Sequence, residues 1–300
     1  MTELDSPSVR ERRLARELRE ARICAQLAGT AVANATGWST SKVSRIETGR
    51  IGISARDLDR LIELYDVSEE QAKYLRRLAP AARTRGWWEA YADSLSAGYA
   101  GLLRLESGSQ ALRSYCAVVP HPLLMTPAYI RHVVLATWQQ PSPQEVDRRI
   151  RVCLRRQAVL EHDEPGPRLR LSVVIDEAVL RRSVAANNDA GAVDVQVDQL
   201  NRLITTASWP NVTIQVLPFG AGIPPVSAGS FSILESRATG GPDVVYLENK
   251  TRIFFVDAET EVDRYARDYR LLTEMALSTV ESVEFIQAIV GDLVGNARPL

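Results

Sequence analysis

The chain has 300 residues, of which 45% are hydrophobic and 24% are charged, and its formal net charge at pH 7 is −1. This composition is typical of a globular protein with a sizeable core, and the length suggests two domains. The net charge alone indicates neither a nucleic-acid nor a membrane partner. The charge is unevenly distributed, however, since residues 1–85 hold 16 Lys and Arg against 12 Asp and Glu while the remainder is acidic. This asymmetry suggests a basic amino-terminal domain joined to an acidic one.

The three cysteines, Cys24, Cys116 and Cys153, lie far apart and show neither a pairing pattern nor the spacing of a metal site. Such isolated cysteines fit a reducing compartment, and we expect no metal and no cofactor. The chain does not start with the apolar core of a signal peptide, and no run approaches the roughly 18 apolar residues of a membrane helix. The sequence therefore predicts a cytoplasmic protein without a membrane span.

Residues 9–79 are predicted to form five consecutive short helices. Leu14 and Leu18 begin an apolar face at helical spacing, and Gly37 is placed to end the second helix. No alternating strand pattern interrupts the segment. Serines that can cap the starts of the last three helices stand at Ser39, Ser54 and Ser68.

The stretch GWSTSKVSRIETG, residues 37–49, has the features of a helix that enters the major groove of DNA. Val43 and Ile46 can anchor this helix to the preceding one. Its outward positions carry Thr40, Ser41, Lys42, Ser44 and Arg45. Short hydroxyl side chains let a backbone approach DNA closely, and cations can reach phosphates and base edges. With the preceding AGTAVANATGW, the stretch predicts a helix–turn–helix, and a generic surface helix is the alternative.

The rest of the chain predicts an α+β fold, with helices packed on a small, largely antiparallel sheet. Residues 84–95 are predicted to be a boundary helix whose paired tryptophans suit an interdomain or dimer contact. Residues 96–165 are predicted to be helical. A period of two then marks strands at 168–176, 212–219, 230–235, 243–249 and 252–257, and helices separate or follow them. The predicted domains are residues 8–80 and 99–292, with a boundary segment at 81–98.

The sequence contains no recognisable set of catalytic residues. His132 and Tyr129 can share a helix face, but no carboxylate or cysteine joins them at ligand spacing. Asp176 and Glu177 stand where a strand meets a helix, and a helix cap is the simplest interpretation. We therefore expect no enzymatic activity. The arginines of residues 148–156 predict a salt-bridged helix face, with a second DNA surface as the alternative.

Residues 10–66 resemble the lambda-repressor-like, XRE-type helix–turn–helix family, and SKVSRIETG at 41–49 is close to the sequence that this family usually has there. The resemblance implies that Thr40, Ser41 and Arg45 contact bases, and arginine can bind guanine at two acceptors. Ser44 is included among the DNA-binding candidates because it shares their outward face. The residues that the resemblance places at phosphates are Ser39, Lys42 and Arg50.

The start of the second helix departs from this family, which often has Gln or another polar side chain there to hold a phosphate. This chain has Ala28, Gly29 and Thr30 instead. Only the backbone N–H groups of the Gly29–Thr30 end and the Thr30 hydroxyl are left for that contact. One copy is then expected to bind weakly, which makes dimerisation more necessary. Thr36 also replaces the usual apolar residue before the turn glycine.

Residues 90–290 resemble the DUF5753 domain of actinomycete regulators, including antitoxin-like proteins of the WhiJ type. The phrases that carry the resemblance are LLRLE (102–106), VVPHPLLMTPAYIR (118–131), RRQAVL (155–160), VIDEAVLRR (174–182), VDQL (197–200), VTIQVLPFGAG (212–222), GSFSILE (229–235) and VVYLEN (244–249). The family usually has proline–glycine–leucine–leucine–glutamine–threonine where this chain has PHPLLMT, residues 120–126. The resemblance implies a regulatory or oligomerising domain, often with a small partner protein of the DUF397 type.

We therefore expect a sequence-specific transcriptional regulator, more a repressor than an activator, that binds double-stranded operator DNA as a homodimer. The resemblance further implies that the carboxyl-terminal domain sets the dimer and senses a protein partner or a ligand. The helix at about 40–48 would read the major groove, with half-sites about one helical turn apart. One alternative is an antitoxin-like protein whose main role is to hold a small DUF397-type partner. The other is an enzyme or ligand receptor built on the carboxyl-terminal sheet.

Overall fold

The computed structural model describes residues 9–48, 51–79, 87–88, 91, 95–107, 109–161, 168–184, 190–226, 229–236, 243–249 and 252–296. The chain divides into two compact units. The amino-terminal unit comprises Met1–Gly108 with Ser236–Pro242, and the carboxyl-terminal unit comprises Ser109–Glu235 with Asp243–Leu300. No helix among the described residues is both long and apolar enough to cross a membrane.

The amino-terminal unit begins with the five short helices that the sequence predicts. They are α1 (Val9–Cys24), α2 (Gly29–Thr36), α3 (Thr40–Glu47), α4 (Ala55–Leu64) and α5 (Glu69–Leu78), and α6 (Ala97–Ser107) follows. Each of the first five contributes an apolar side chain to one core, for example Leu18, Val32, Ile46, Leu61 and Leu75. Because a short helix is only marginally stable alone, this shared core holds the five together.

Serine caps fix where three of these helices begin, as the sequence predicts. The hydroxyl of Ser39 accepts a hydrogen bond from the Lys42 backbone N–H at 3.1 Å. Ser54 and Ser68 do the same at the starts of α4 and α5. Each cap satisfies one of the backbone donors that a helix leaves unpaired at its amino end. The chain directions at the start of α3 and α4 are therefore well defined.

The carboxyl-terminal unit contains a six-stranded sheet in the order β3-β2-β1-β4-β5-β6. Its strands are β1 (Ser109–Cys116), β2 (Arg170–Asp176), β3 (Val212–Leu217), β4 (Phe231–Ser236), β5 (Val244–Glu248) and β6 (Ile253–Val256). Its helices are α7 (Pro127–Thr137), α8 (Pro143–Gln157), α9 (Glu177–Arg181), α10 (Ala190–Ala207), α11 (Glu259–Met275) and α12 (Thr279–Asn296). Val262, Tyr269 and Leu272 of α11 pack on one face of the sheet.

The sheet has a parallel half and an antiparallel half. Strand β1 pairs parallel to β2, and β2 pairs parallel to β3. Strand β5 pairs antiparallel to both β4 and β6. Side chains along β1 and β4 meet in opposite order, since Ala117 contacts Ser230 and Arg113 contacts Glu235. That order makes β1 and β4 antiparallel, so the sheet is largely antiparallel, as predicted. The parallel β1-β2-β3 half was not predicted from the sequence.

One predicted element is wrong. Residues 109–116 were expected to continue the helix that precedes them, but they form β1, a central strand of the sheet. All of its residues are buried except Gln110, which is exposed, and Arg113, which is partly exposed. A strand covered on both faces lacks the alternation that marks a half-exposed strand, so periodicity does not reveal it. The closing helix α12 was also not predicted.

The predicted boundary helix at 84–95 lies mostly outside the described residues. Within it, the rings of Trp87 and Trp88 meet edge to face with centroids 6.0 Å apart, and Tyr91 contacts Trp87 in the same manner. Such edge-to-face pairs are a favoured aromatic geometry. The contact role predicted for the paired tryptophans stays a prediction.

Candidate nucleic-acid interface

The helix α3 presents a polar face on an apolar base. Val43 and Ile46 are buried, with 4% and 3% of their surfaces exposed, and they join the core of the amino-terminal unit. The outward residues Thr40, Ser41, Ser44 and Arg45 are exposed. Arg45 has no side-chain partner among the described residues. The predicted division of this helix into an inner and an outer face is therefore confirmed.

A tight turn joins α2 to α3. Gly37 ends α2 with φ at 71°, in the left-handed region, where glycine has no steric cost. The preceding Thr36 is buried, and its hydroxyl donates to the Val32 carbonyl oxygen at 2.7 Å. This hydrogen bond lets a polar residue occupy a position that an apolar one usually fills. The result is a helix–turn–helix in which α3 is presented by α2.

A buried ion pair fixes the carboxyl end of α3. The Arg22 guanidinium on α1 donates to both Glu47 carboxylate oxygens, at 2.7 and 2.9 Å. Its third contact is with the Leu27 carbonyl oxygen at 2.7 Å. The bonds to Glu47 raise the pKa of Arg22 above its ordinary value. Only 15% and 8% of the two side chains are exposed, so this two-pronged pair holds α3 firmly against α1.

A second charged cluster fixes the amino end of α3. The Lys42 ammonium lies 3.0 Å from an Asp57 carboxylate oxygen on α4 and 3.9 Å from the centre of the Trp38 ring in the turn. From α4, Arg60 donates to the Thr36 carbonyl oxygen at 3.1 Å. The cluster thus joins the turn, the first turn of α3 and α4. Together with the Arg22–Glu47 pair, it anchors α3 at both ends.

The amino end of α2 lies beside the exposed face of α3. Ala28 precedes the helix and offers no side-chain cap, so the first N–H groups are not capped by a side chain. A groove of about 480 Å³ runs along this surface and is lined by residues of three helices, namely Arg19, Arg22, Ala28, Gly29, Thr30, Thr40, Val43, Ser44, Glu47 and Thr48. Helix amino ends with free N–H groups attract phosphate. The structure therefore brings the predicted Gly29 and Thr30 to the surface that carries Thr40 and Ser44.

Two of the predicted phosphate ligands have additional roles inside the domain, and one lies beyond what is described. The Ser39 hydroxyl caps α3, although the side chain itself is exposed. The Lys42 ammonium pairs with the Asp57 carboxylate and lies over the Trp38 ring. Arg50 lies outside the described residues.

Several residues that shape the interface were not predicted. Arg22 is 25 positions from Glu47, and Asp57 is 15 positions from Lys42. Helical periodicity reports which face a residue occupies, but not which side chain of another helix will meet it. Arg19 stands one helical turn before Arg22 on α1, and this spacing weakly indicates that both lie at the same surface.

Polar groups in the carboxyl-terminal unit are used within the fold. The Gln157 amide donates to the Pro122 and Met125 carbonyl oxygens at 2.9 and 2.8 Å. Gln199 bonds both Leu124 and Thr126. These contacts hold the segment 120–126 in a buried turn. This is the PHPLLMT segment whose sequence differs from the one expected from the resemblance. The Asp176 carboxylate caps α9, as predicted, by accepting from the Ala178 N–H at 2.9 Å.

A buried histidine completes this turn. The His121 Nδ1 accepts from the Leu123 N–H at 3.3 Å, so Nε2 carries the proton that faces the Tyr246 hydroxyl at 3.0 Å. Burial, reinforced by the nearby Arg156 charge, lowers the pKa of His121 well below its ordinary value. The side chain is therefore a neutral structural element. No group of three or more metal-binding side chains is found among the described residues.

The basic run on α8 forms ion pairs within its own unit. Arg148 and Arg149 both contact Glu145, and Arg149 also stacks on Trp138. On the neighbouring α7, Arg131 pairs with an α8 carboxylate. For Arg148 and Arg149 this arrangement is the salt-bridged face that the sequence predicts.

The amino-terminal geometry defines a helix–turn–helix protein of the DNA-binding class. Comparison with known families agrees, because the model of a helix-turn-helix domain matches residues 13–75. The model of DUF5753, a domain of unknown function, matches residues 99–288, and the chain belongs to this family. No curated protein and no solved structure matches the chain. The helix-turn-helix match supports a DNA-binding regulator.

Proposed function

We propose that the protein is a sequence-specific transcriptional regulator whose α3 lies in the major groove of operator DNA. The observation that carries the proposal is the exposed face of α3, on a helix that ion pairs hold at both ends. A recognition surface must be rigid as well as polar, because contacts to base edges depend on fixed geometry. The amino end of α2 lies on the same surface, where its backbone N–H groups can bind a DNA phosphate.

Each exposed group then has a chemical role in the proposed complex. Arg45 donates two hydrogen bonds to a guanine, and its free guanidinium is available for this. Thr40, Ser41 and Ser44 are short, so the helix backbone approaches the bases, and their hydroxyls donate or accept. The Gly29 and Thr30 N–H groups bind a phosphate. Ser39 and Arg50 are assigned to phosphates as well.

Dimerisation and repression are the finer parts of the proposal. A single α3 with few phosphate contacts has a small interface, so two copies on one operator are needed for tight binding. A two-fold dimer requires half-sites about 10 base pairs apart, or a multiple of this. We assign dimer formation to the DUF5753 unit. A dimer bound across a promoter blocks transcription by occlusion.

The alternative is an antitoxin-like role, in which the carboxyl-terminal unit mainly holds a small protein of the DUF397 type. One observation favours a protein contact by this unit. Three large apolar side chains near the carboxyl ends of β1 and β3 are strongly exposed, namely Val118 at 60%, Phe219 at 61% and Ile223 at 92%. Strands β1 and β3 both run parallel to β2, so these side chains follow strands that end at the same edge of the sheet. Exposed apolar surface at one edge suits an interaction with another protein. In this alternative, DNA binding only makes the pair regulate its own synthesis.

We propose no enzymatic role for the carboxyl-terminal unit. His121 is held by Leu123 and Tyr246, and Asp176 caps a helix. The Glu177 carboxylate is also engaged, since it accepts from the Arg181 side chain and the Phe219 N–H. These groups act as structural hydrogen-bonding partners.

The test is selection of double-stranded DNA from a random library with the purified full-length protein. The proposal predicts one enriched sequence with two-fold symmetry, and mass photometry should show two copies on it. Absence of any enriched sequence would contradict the regulator. If enrichment appears only when a small protein of the DUF397 type is added, the antitoxin-like alternative takes its place.

A further inference from the structure

The first turn of α3 carries a cation whose charge is already compensated. The Lys42 ammonium is 3.0 Å from the Asp57 carboxylate and 3.9 Å from the centre of the Trp38 ring. A carboxylate and an aromatic face both attract an ammonium. A move toward a DNA phosphate would break both contacts, so the gain from the phosphate would be offset.

The contacts of Lys42 join three parts of the domain. Trp38 belongs to the turn between α2 and α3, and Asp57 belongs to the first turn of α4. Arg60 of α4 adds to the cluster, because its guanidinium lies 6.0 Å from the Trp38 ring centre and donates to the Thr36 carbonyl oxygen. The cluster therefore sets the direction in which α3 leaves the turn, and with it the positions of Thr40 and Ser41.

Arg45 on the same helix provides the contrast. Its side chain is exposed and has no partner among the described residues, whereas the Lys42 side chain is 32% exposed and has two. A free cation that reaches a phosphate releases counterions and steepens the salt dependence of binding. A cation that stays paired with Asp57 releases no counterions from DNA and does not change the salt dependence. The two cations of α3 thus have different expected signatures in a salt titration.

We propose that Lys42 is a positioning residue of the DNA interface and that Asp57 keeps its ammonium from serving as a phosphate ligand. The inference rests on the proposed function and deepens it. It replaces the phosphate role that the family resemblance implies for Lys42. The same pair then limits non-specific affinity, since it withholds one positive charge from the DNA backbone.

The test is the salt dependence of DNA binding by the full-length protein, measured by fluorescence anisotropy on the selected operator and on unrelated DNA. Lys42→Ala should weaken operator binding about tenfold and leave the slope of log K against log salt unchanged. Lys42→Arg, which can keep both contacts, should restore affinity. Asp57→Asn should release the ammonium, steepen the slope by about 0.9 for each bound copy, which is about 1.8 for the dimer, and strengthen binding to unrelated DNA.

Two control variants change the same charges elsewhere in the unit. Lys73 pairs with Glu69 on the exposed surface of α5, and Asp59 pairs with Arg76 across α4 and α5. Lys73→Ala and Asp59→Asn should leave both the operator affinity and the slope unchanged. They separate the effect of the Lys42–Asp57 contact from that of net charge.

A slope that becomes shallower in Lys42→Ala by about 0.9 for each bound copy would overturn the inference and make Lys42 a phosphate ligand. Unchanged operator affinity in Lys42→Ala, or an unchanged slope in Asp57→Asn, would overturn it too. These outcomes leave the proposed function intact, because the wild-type protein still binds its operator. If the wild-type protein prefers no sequence, the proposed function and this inference fail together.

Discussion

The two units of the molecule use their polar side chains in opposite ways. In the amino-terminal unit, the outer face of α3 stays exposed while Arg22, Glu47, Lys42 and Asp57 hold the helix in place. In the carboxyl-terminal unit, the buried amides of Gln157 and Gln199 satisfy carbonyl groups of the segment 120–126. An exposed polar face on a rigid helix has no role inside the fold and points to a ligand. A buried polar group is explained by the fold itself.

The largest expected effect comes from the ion pair that anchors α3. Glu47→Ala leaves the Arg22 guanidinium buried without its carboxylate, which should cost about 3–5 kcal/mol of stability. Hydrogen exchange of peptides from α1 to α5, followed by mass spectrometry in increasing urea, measures this in the full chain. Asp59→Ala removes a carboxylate whose pair with Arg76 is about half exposed, and it should cost under about 1 kcal/mol. Equal losses of stability in Glu47→Ala and Asp59→Ala would show that the Arg22–Glu47 pair does not anchor α3.

The next effect tests the buried amides of the other unit. Gln157→Leu removes the amide that donates to the Pro122 and Met125 carbonyl oxygens, while the Cys153 thiol still donates to Pro122. We therefore expect a loss of about 1–3 kcal/mol. Gln144, at the exposed start of the same helix, offers the control, and Gln144→Leu should change stability by under about 0.5 kcal/mol. The free energy of urea unfolding of the carboxyl-terminal unit is the measurement. A neutral Gln157→Leu would mean that these carbonyl groups find other partners.

His121 makes the stability of the carboxyl-terminal unit depend on pH. Its pKa in the folded state is well below the ordinary value because of burial and the charge of Arg156. Between pH 7 and pH 5 the unfolded chain therefore binds a proton that the folded chain does not. Stability should fall as the pH falls, by about 2 kcal/mol at pH 5.

Chemical unfolding at pH 7, 6 and 5 measures this dependence. His121→Gln should lose about 2 kcal/mol of the difference between pH 7 and pH 5, whereas His132→Gln, on a partly exposed position of α7, should keep it. A wild-type protein as stable at pH 5 as at pH 7, with no change in His121→Gln, would contradict the neutral buried imidazole.

The smallest effect separates stability from recognition within the amino-terminal unit. Ser39→Ala and Ser68→Ala each remove a helix cap and should each cost about 1 kcal/mol of stability. Only Ser39 lies at the start of α3, so only Ser39→Ala should weaken operator binding. Thermal unfolding and anisotropy on the same samples check both statements. A loss of DNA affinity in Ser68→Ala as well would show that stability alone controls binding.

The sequence was sufficient for the helical unit because its local signals agree. Serine caps, the turn glycine and the spacing of Val43 and Ile46 each point to the same helices, and the structure has them. The exposed candidates on α3 follow from the same pattern, since helical spacing determines which residues face outward. What the pattern could not supply were the partners from other helices, because packing decides which side chains meet.

The central strand β1 shows where the sequence was not sufficient. Ser109 and Ser114 are buried in β1 as fully as Leu112, so polar and apolar residues do not alternate there. The Ser114 hydroxyl contacts the Ser232 hydroxyl and the Phe231 carbonyl oxygen on β4, 117 and 118 positions away. Long-range pairing of this kind satisfies the buried hydroxyl, and nothing near Ser114 in the sequence predicts it.

The central claim is that α3 reads DNA, and Arg45 tests it most directly. The measurement is the ratio of affinities for the selected operator and for unrelated DNA, by anisotropy at one salt concentration, for the wild-type protein and Arg45→Ala. Loss of the guanine contact should lower this ratio by about 5- to 150-fold for each half-site, which corresponds to about 1–3 kcal/mol per bound copy, while affinity for unrelated DNA falls much less. An unchanged ratio in Arg45→Ala would contradict the claim that this face of α3 reads the sequence.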